Sequence, residues 1–202
     1  MKIVRSEVLI NAGKFSTSPG WHQIHKQIID AIMSVEWPPG SGSFTLFDQP
    51  GKKRGEGNGV KPIKDACMRH LKSQGWSLET AVDIATVIRP GKMDATISES
   101  NKLFCVEWET GNISSSHRAI NKMALGLIQN ILIGGVLIVP TRKMYKYLTD
   151  RVGNFRELEP YFPLWRIIPV KDGILAVIAI EHDAVSKTVP RIEKGTDGRA
   201  LQ

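Results

Sequence analysis

The stretch that decides the fold is DATISESNKLFCVEWE, residues 94–109. The polar, turn-forming residues 98–101 divide it into two segments, which predicts a hairpin of strands Asp94–Ser98 and Lys102–Glu109. The second segment is apolar on both faces, as expected of a central strand that helices cover on both sides. We therefore expect this hairpin to lie in the middle of a sheet.

Helical and strand patterns alternate outward from the hairpin. Predicted helices span residues 21–33, 62–74, 115–131, 141–148 and 154–162, and predicted strands span 43–47, 81–88, 136–139, 166–170 and 174–180. Gly134-Gly135 is expected to end the long helix, and the Gly-rich basic residues 48–61 are expected to form a loop. The pattern predicts a single α/β domain over residues 1–202, with a mixed central β-sheet sandwiched by helices.

The charge balance favours an anionic partner. The chain has 27 Lys and Arg residues against 20 Asp and Glu, a net charge of +7, and nucleic acid is the commonest partner of a basic domain. Seven of the cations lie in one region: Lys52, Lys53, Arg54, Lys61, Lys64, Arg69 and Lys72. Phosphate contacts from this region would make binding salt-dependent, although a solvated basic face stays open as the alternative.

Several classes of protein are excluded. The two cysteines, Cys67 and Cys105, exclude a disulfide scaffold and a Cys-rich zinc site. The N-terminal residues carry no apolar signal-peptide core, and no apolar run is long enough to span a bilayer. We expect a soluble, cytoplasmic protein with no membrane partner.

Acidic residues cluster at one end of the predicted hairpin. Glu107 and Glu109 are two apart on a strand and share a face, and Asp94 is expected near the same end. Carboxylates in that position repel one another unless a cation lies between them. Mg²⁺ prefers such oxygen ligands, and the only cationic residues near this end of the hairpin are Lys92 and Lys102.

A metal site on a basic domain suggests phosphodiester hydrolysis, because a bound metal ion activates water and stabilises charge on the phosphate. The alternative is that these are ordinary surface acids at a wet strand end. Chemistry alone also allows Glu107 and Glu109 to exchange roles.

These residues resemble a known nuclease motif. Asp94 followed by Glu107-x-Glu109 is similar to the PD-(D/E)xK motif, with Glu109 where lysine is usual. That departure resembles the BamHI-like type II restriction endonucleases, most of all their shorter members. Two longer stretches resemble the same family, residues 107–123 (EWETGNISSSHRAINKM) and 147–162 (YLTDRVGNFRELEPYF). Residues 57–64 and 194–198 extend the similarity. The resemblance implies a restriction endonuclease-like fold.

The resemblance also implies catalytic and metal-binding roles. Asp94 and Glu107 would bind two Mg²⁺ ions, for which Mn²⁺ would substitute, with the backbone carbonyl of Trp108 as a further ligand. Glu109 would act as the general base. Glu79 matches a further acid near the metals, and its alternative is a solvated loop acid. The proline that usually precedes the aspartate is displaced here to Pro90.

DNA-reading residues are implied in the same way: Lys64, Asn112, Ser114, Arg118, Asp150 and Arg151, with Gly195 and Asp197 at the minor groove. In a major groove, aspartate accepts from cytosine and arginine binds guanine. Asn112 or Ser114 could instead simply cap the long helix, and Lys64 could be a surface lysine.

The family that these residues resemble reads the palindrome GGATCC and cuts after the first G. A palindrome requires a two-fold homodimer on double-stranded DNA, and helices 115–131 and 154–162 resemble the family's dimer helices, although their apolar stripes also fit a monomer core. A cognate DNA methyltransferase would act on the same site without binding the enzyme. Two alternatives stay open: a structure-specific repair nuclease, and a catalytically inactive sequence-specific DNA-binding protein.

Overall fold

A six-stranded mixed sheet runs through the middle of the computed structural model, which describes residues 1–53, 55–84, 91–149 and 152–194. The strands of the described residues are β1 (Lys2–Ala12), β2 (Thr45–Phe47), β3 (Ser77–Thr80), β4 (Met93–Glu99), β5 (Lys102–Trp108), β6 (Leu132–Pro140), β7 (Gly173–Glu181) and β8 (Ala184–Ser186). The helices are α1 (Pro19–Met33), α2 (Lys61–Ser73), α3 (Ile113–Ile128), α4 (Arg142–Tyr145), α5 (Phe155–Leu158) and α6 (Phe162–Arg166). Short 3-10 turns cover Phe15–Thr17 and Glu159–Tyr161.

The large sheet has the spatial order β1-β7-β6-β5-β4-β3. Strands β5, β6 and β7 are parallel, whereas β1, β3 and β4 pair antiparallel with their neighbours. A separate two-stranded parallel sheet joins β2 and β8. The predicted hairpin is confirmed as β4 and β5, and the predicted mixed sheet flanked by helices is confirmed as well.

Helices cover both faces of the sheet, and β5 shows how the two faces differ. Phe104 and Val106 pack into the apolar cluster that includes α1 and α2, whereas Cys105 packs into the cluster that includes α3, α5 and α6. Strand residues two apart share a face, so Glu107 and Glu109 follow Cys105 and point toward α3. This alternation places two acidic side chains against one helix.

Three helices begin at side-chain caps, and the shortest of them, α4, begins at Thr141, whose hydroxyl accepts the Met144 N–H. The Ser18 hydroxyl accepts the Trp21 N–H at the start of α1. Helix α3 is capped by Asn112, whose side-chain oxygen accepts the N–H groups of Ser114 and Ser115 at 3.1 and 3.3 Å. The cap is therefore Asn112, and the serines that follow it lie inside the first turn.

The prediction that Gly134-Gly135 ends the long helix is wrong, because both glycines lie within β6. A Cβ at Gly134 would overlap the Phe104 ring, and one at Gly135 would overlap the Met123 sulfur. The glycines thus permit close packing on both faces of the sheet. The helix ends earlier, at Ile128, and Asn130 with a φ of +62° turns the chain into β6.

Two predicted strands differ from the structure. Residues 166–170 are not a strand, because Arg166 ends α6 and Ile167 is 79% exposed rather than buried in a sheet. In the predicted strand 81–88, residues 81–84 lie outside any strand and 85–88 lie outside the described residues. Val82 and Ile84 are buried by packing into the cluster beneath α3, and the strand precedes them as β3.

Strand β1 was not predicted. Its pairing with β7 shifts register between Ile3 and Arg5 and again between Val8 and Ile10. These irregularities break the alternation of apolar and polar residues on which strand prediction depends.

Within the described parts of the chain, no helix combines the length and the apolar character needed to cross a bilayer.

Candidate active site

Asp94 and Glu107 form an acidic pair at the edge of the hairpin. The antiparallel register Ala95–Val106 makes Asp94 and Glu107 the next facing residues along β4 and β5. Each residue is only 8% exposed. The Asp94 Oδ2 atom accepts the N–H of Trp108 at 2.8 Å, which fixes the orientation of this carboxylate.

Each member of the acidic pair binds a lysine from a different helix. Lys64 of α2 places its Nζ 2.5 Å from Asp94 Oδ1, and Lys122 of α3 places its Nζ 2.5 Å from Glu107 Oε1. The sequence had indicated only lysines of the hairpin itself as nearby cations. One of these, Lys102, instead donates to Asn130 Oδ1 at 2.6 Å.

Burial and neighbouring charges shift the pKa values of Glu107 and Lys64. Burial of Glu107, followed by the negative charge of Asp94, raises the pKa of Glu107 to about 7 even though Lys122 and Lys64 lower it. Burial lowers the pKa of Lys64, but the adjacent Asp94 carboxylate more than offsets this, so the pKa of Lys64 is raised. The Asp94 carboxylate thus stabilises the ammonium form of Lys64.

Glu109 lies one residue beyond β5 and has different partners. It is 6% exposed. The fully buried hydroxyl of Ser116 donates to its Oε2, and the N–H of Gly111 donates to its Oε1 at 2.6 Å. Burial raises the pKa of Glu109 more than these hydrogen bonds lower it. Among the described residues Glu109 forms no ion pair, so neutral donors hold its carboxylate.

The acidic pair fits a divalent metal ion. Its two carboxylates already hold two cations, the ammonium groups of Lys64 and Lys122. Mg²⁺ ordinarily takes one or two protein carboxylates and completes its shell with water and substrate phosphate, so two carboxylates suffice. In the described ranges, no three His, Cys, Asp or Glu side chains are arranged to hold a metal ion together. Glu109 has partners of its own, Ser116 and Gly111.

The predicted ligands Glu79 and Trp108 occupy different settings. The Glu79 side chain is 61% exposed, with its Oε1 4.0 Å from Lys64 Nζ, which leaves it outside the acidic pair. Trp108 is buried, and its N–H is used by Asp94.

A cleft of about 1060 Å³ opens over the acidic pair. It is lined by seven of the residues singled out in the sequence: Lys64, Asp94, Glu107, Trp108, Glu109, Ser114 and Arg118. Ser114 and Arg118 are exposed on the first turns of α3. The structure thus brings the carboxylates and part of the predicted DNA-reading set into one cleft, while Asn112 serves as the cap of α3.

Asp150, Arg151, Gly195 and Asp197 lie outside the described residues. The chain leading to them is held by Asn58, a fully buried residue that the sequence analysis did not single out. The Asn58 side chain donates to the carbonyls of Phe47 and Tyr147, both at 2.9 Å, and accepts the N–H of Ile192 at 3.3 Å. It thereby joins the basic loop to the segments that precede residues 150 and 195.

Gly153 packs directly against the Glu109 site. Its N–H donates to the carbonyl of Gly111 at 2.9 Å, and a Cβ at this position would overlap the hydroxyl oxygen of Ser116. Ser116, like Lys122, was missed by the sequence analysis. The sequence offered one signal for both residues: each is a polar position of α3 on the side that faces the acidic end of β5.

Comparisons with known proteins identify the family of the chain. The family model described as restriction endonuclease BamHI matches residues 1–199. The type II restriction enzyme OkrAI of Oceanobacter kriegii is 57% identical over 202 residues, which is 100% of both chains. The type II restriction enzyme BamHI of Bacillus amyloliquefaciens is 36% identical over 183 residues, covering 87% of this chain and 82% of that protein.

A solved structure shows the same fold. The crystal structure of restriction endonuclease BGLII complexed with a DNA 16-mer superposes with a TM-score of 0.65, covering 95% of this chain and 88% of that one at 11% identity. At this identity the likeness concerns the fold alone. Given the family match over nearly the whole chain, the protein belongs to the BamHI restriction endonuclease family and is a type II site-specific deoxyribonuclease.

Proposed function

We propose that this enzyme is a homodimer that cuts double-stranded DNA at the palindrome GGATCC, after the first G, in the presence of Mg²⁺. The observation that carries the mechanism is the separation of three buried carboxylates into an acidic pair with cationic partners and a single carboxylate with neutral donors. This division gives the metal-binding and proton-accepting roles to different residues.

Asp94 and Glu107 would hold the Mg²⁺ ions, two by analogy with the family, and Mn²⁺ would substitute for them. The backbone carbonyl of Trp108 is proposed as a further ligand, and the exposed Glu79 as an assisting acid. When bound, the metal lowers the pKa of water and stabilises negative charge on the phosphate.

Glu109 is proposed to take the proton from the attacking water. The hydroxyl of Ser116 and the N–H of Gly111 hold one carboxylate oxygen each, which leaves lone pairs free to accept a proton. Because burial raises its pKa, Glu109 is a stronger base than an exposed glutamate, closer to the pKa that suits proton transfer near neutral pH.

The DNA-reading residues are proposed from the family resemblance and from position. Asn112, Ser114 and Arg118 are exposed at the start of α3, and the last two line the cleft. Asp150 and Arg151 are proposed to read a G·C pair and Lys64 the outer pair, with Gly195 and Asp197 at the minor groove. A base contact by Lys64 requires its ammonium to leave Asp94.

The homodimer is proposed because each half of a palindrome needs the same set of side chains. Exposed apolar side chains on the α3 and α6 side of the sheet support it. These are Ile128 at 52%, Tyr161 at 44%, Leu164 at 61% and Ile167 at 79% exposure. We further propose that the enzyme acts in the cytoplasm and that a methyltransferase, which does not bind it, modifies the same DNA site.

Digestion of a sequenced plasmid with Mg²⁺, an EDTA control and mapping of the fragment ends tests this function. Metal-dependent cuts at GGATCC are expected. Discrete cuts at another sequence would reject the proposed site, and cuts at junctions or mismatches regardless of sequence would indicate a repair nuclease. Tight DNA binding without any cut would indicate an inactive DNA-binding protein.

The substitution Asp150→Asn tests the base-reading assignment. It turns a group that only accepts hydrogen bonds into one that also donates, so discrimination at one G·C pair should weaken by ~1–3 kcal/mol. The measurement is kcat/KM on GGATCC and on each singly substituted site. Unchanged discrimination at every position would remove Asp150 from the reading set.

A further inference from the structure

The Lys122 ammonium contacts one carboxylate and two backbone carbonyl oxygens. Its ammonium lies 2.5 Å from Glu107 Oε1 and donates to the carbonyl oxygens of Gly91 and Lys92 at 3.1 and 3.2 Å. An ammonium has three N–H donors and no acceptor, so these contacts use its full capacity. Its side chain is 12% exposed. Lys122 is therefore built into the site.

A surface pair of the same chemistry provides a contrast. Lys143 and Glu181 lie 2.8 Å apart, but the Lys143 side chain is 66% exposed. Water competes for both charges there, so such a pair is weak. The Lys122–Glu107 pair is shielded from water, and each partner depends on the other for neutralisation.

When both of its acids are ionised, the acidic pair is balanced by the two lysines. The acidic pair carries two negative charges when ionised, and Lys64 and Lys122 supply two positive ones. A divalent cation carries the same charge as the two ammonium groups together. A divalent cation at the acidic pair would therefore compete with the two lysines for the same carboxylates.

The sequence motif explains why the lysine beside Glu107 comes from a helix and not from the strand. Glu109 occupies the strand position where the resembled motif has lysine, and Glu109 is held by Ser116 and Gly111. No cation therefore comes from that strand position. The ammonium beside Glu107 comes instead from α3, the helix that also begins with the exposed residues Ser114 and Arg118.

We propose that Lys122 is the resident counter-ion of Glu107: it positions this carboxylate in the metal-free enzyme, is displaced when a divalent cation binds, and so sets the metal affinity. The inference deepens the proposed function, because it rests on the acidic pair as the metal site. Lys122 is a positioning residue that acts through Glu107.

Calorimetric titration of the full-length protein with Ca²⁺, without DNA, tests the competition. Lys122→Met keeps the apolar stem and removes the charge, so Ca²⁺ should bind about fivefold or more tightly than to wild type. Lys122→Arg retains the charge and should leave the affinity near that of wild type. Lys143→Met, the matched control from the surface pair, should leave it unchanged. Unchanged or weaker Ca²⁺ binding by Lys122→Met overturns the proposal, because a purely structural lysine would give that result.

A measurement on the wild-type protein guards against a variant that fails to fold. Lysine methylation followed by mass spectrometry should show Lys122 protected without metal and more reactive with Ca²⁺, while the reactivity of Lys143 stays constant. Equal protection of Lys122 in both conditions would overturn displacement. Plasmid cleavage by wild type is measured separately. Tighter Ca²⁺ binding by Lys122→Met, with no cleavage by wild type, would support the counter-ion role of Lys122 and reject the nuclease mechanism. Cleavage by wild type, with no tighter Ca²⁺ binding by Lys122→Met, would support the nuclease mechanism and reject the counter-ion role.

Discussion

The acidic pair and Glu109 differ in their partners and hardly at all in their burial. Asp94 and Glu107 are each 8% exposed and Glu109 is 6% exposed, at the same end of the same hairpin. The pair holds two ammonium groups, whereas Glu109 holds a hydroxyl and a backbone N–H. Carboxylates of equal burial therefore differ in whether their partners are charged or neutral. On this difference rests our proposal that the acidic pair binds the metal and that Glu109 accepts the proton.

The largest effect is expected from Glu109→Ala. Removing a general base should slow cleavage by ~10²–10⁴-fold, while the acidic pair and the reading surface stay intact. Single-turnover cleavage, Ca²⁺ titration and DNA-binding measurements on the variant check this. If Glu109→Ala lost metal or DNA binding to the same extent as cleavage, the contrast between the pair and Glu109 would collapse.

A smaller effect is expected in the pH dependence of the metal-free protein. The pKa of Glu107 is raised from 4.5 to about 7, so the folded chain holds this proton more tightly than the unfolded chain. The resulting stability is full below pH 4.5 and is lost as the pH rises through 7. Relative to Glu107→Gln, wild type should lose about 3 kcal/mol across that window.

Thermal unfolding of both proteins in EDTA, at several pH values between those limits, measures this difference. Glu107→Gln serves as the reference because it cannot titrate. Parallel stability curves for the two proteins would show that Glu107 ionises as an exposed glutamate does. The difference between the acidic pair and Glu109 would then need another explanation.

The smallest effect is expected from Ser116→Ala. Loss of this hydroxyl leaves one oxygen of the buried Glu109 without its donor and should cost about 1 kcal/mol of stability, with a cleavage rate lower by about tenfold. Ser34→Ala removes a hydroxyl that donates to Ala31 at the end of α1, outside the cleft. That control should lose stability at most, so an equal loss of cleavage rate in both variants would remove Ser116 from the mechanism.

The sequence predicted the carboxylates because they are close along the chain. Asp94, Glu107 and Glu109 belong to one hairpin, whose register follows from alternation and a short turn. The lysines could not be predicted in this way. Lys64 is 30 residues from Asp94 in the sequence, and only the packing of α2 and α3 on opposite sides of β5 brings Lys64 and Lys122 together. Local patterns carry no information on such tertiary contacts.

The distinction between local patterns and tertiary contacts applies to the fold as well. The hairpin and α1 were predicted because their periodicity is regular and their turn or cap is local. Strand β1 was missed because its register shifts interrupt the alternation. The Gly134-Gly135 pair was misassigned because glycine permits close packing as well as helix termination, and only the neighbouring Phe104 and Met123 decide between these roles.

Gly153 has a consequence for engineering a new target sequence. It lies two residues after Arg151 and leaves no room for a Cβ beside the Ser116 hydroxyl. In a library that randomises residues 150–153 to alter base preference, we therefore expect most side chains at position 153 to displace the Ser116 hydroxyl from Glu109, whatever bases the other positions select. Fixing Gly153 and varying only 150 and 151 separates the search for new specificity from the preservation of catalysis.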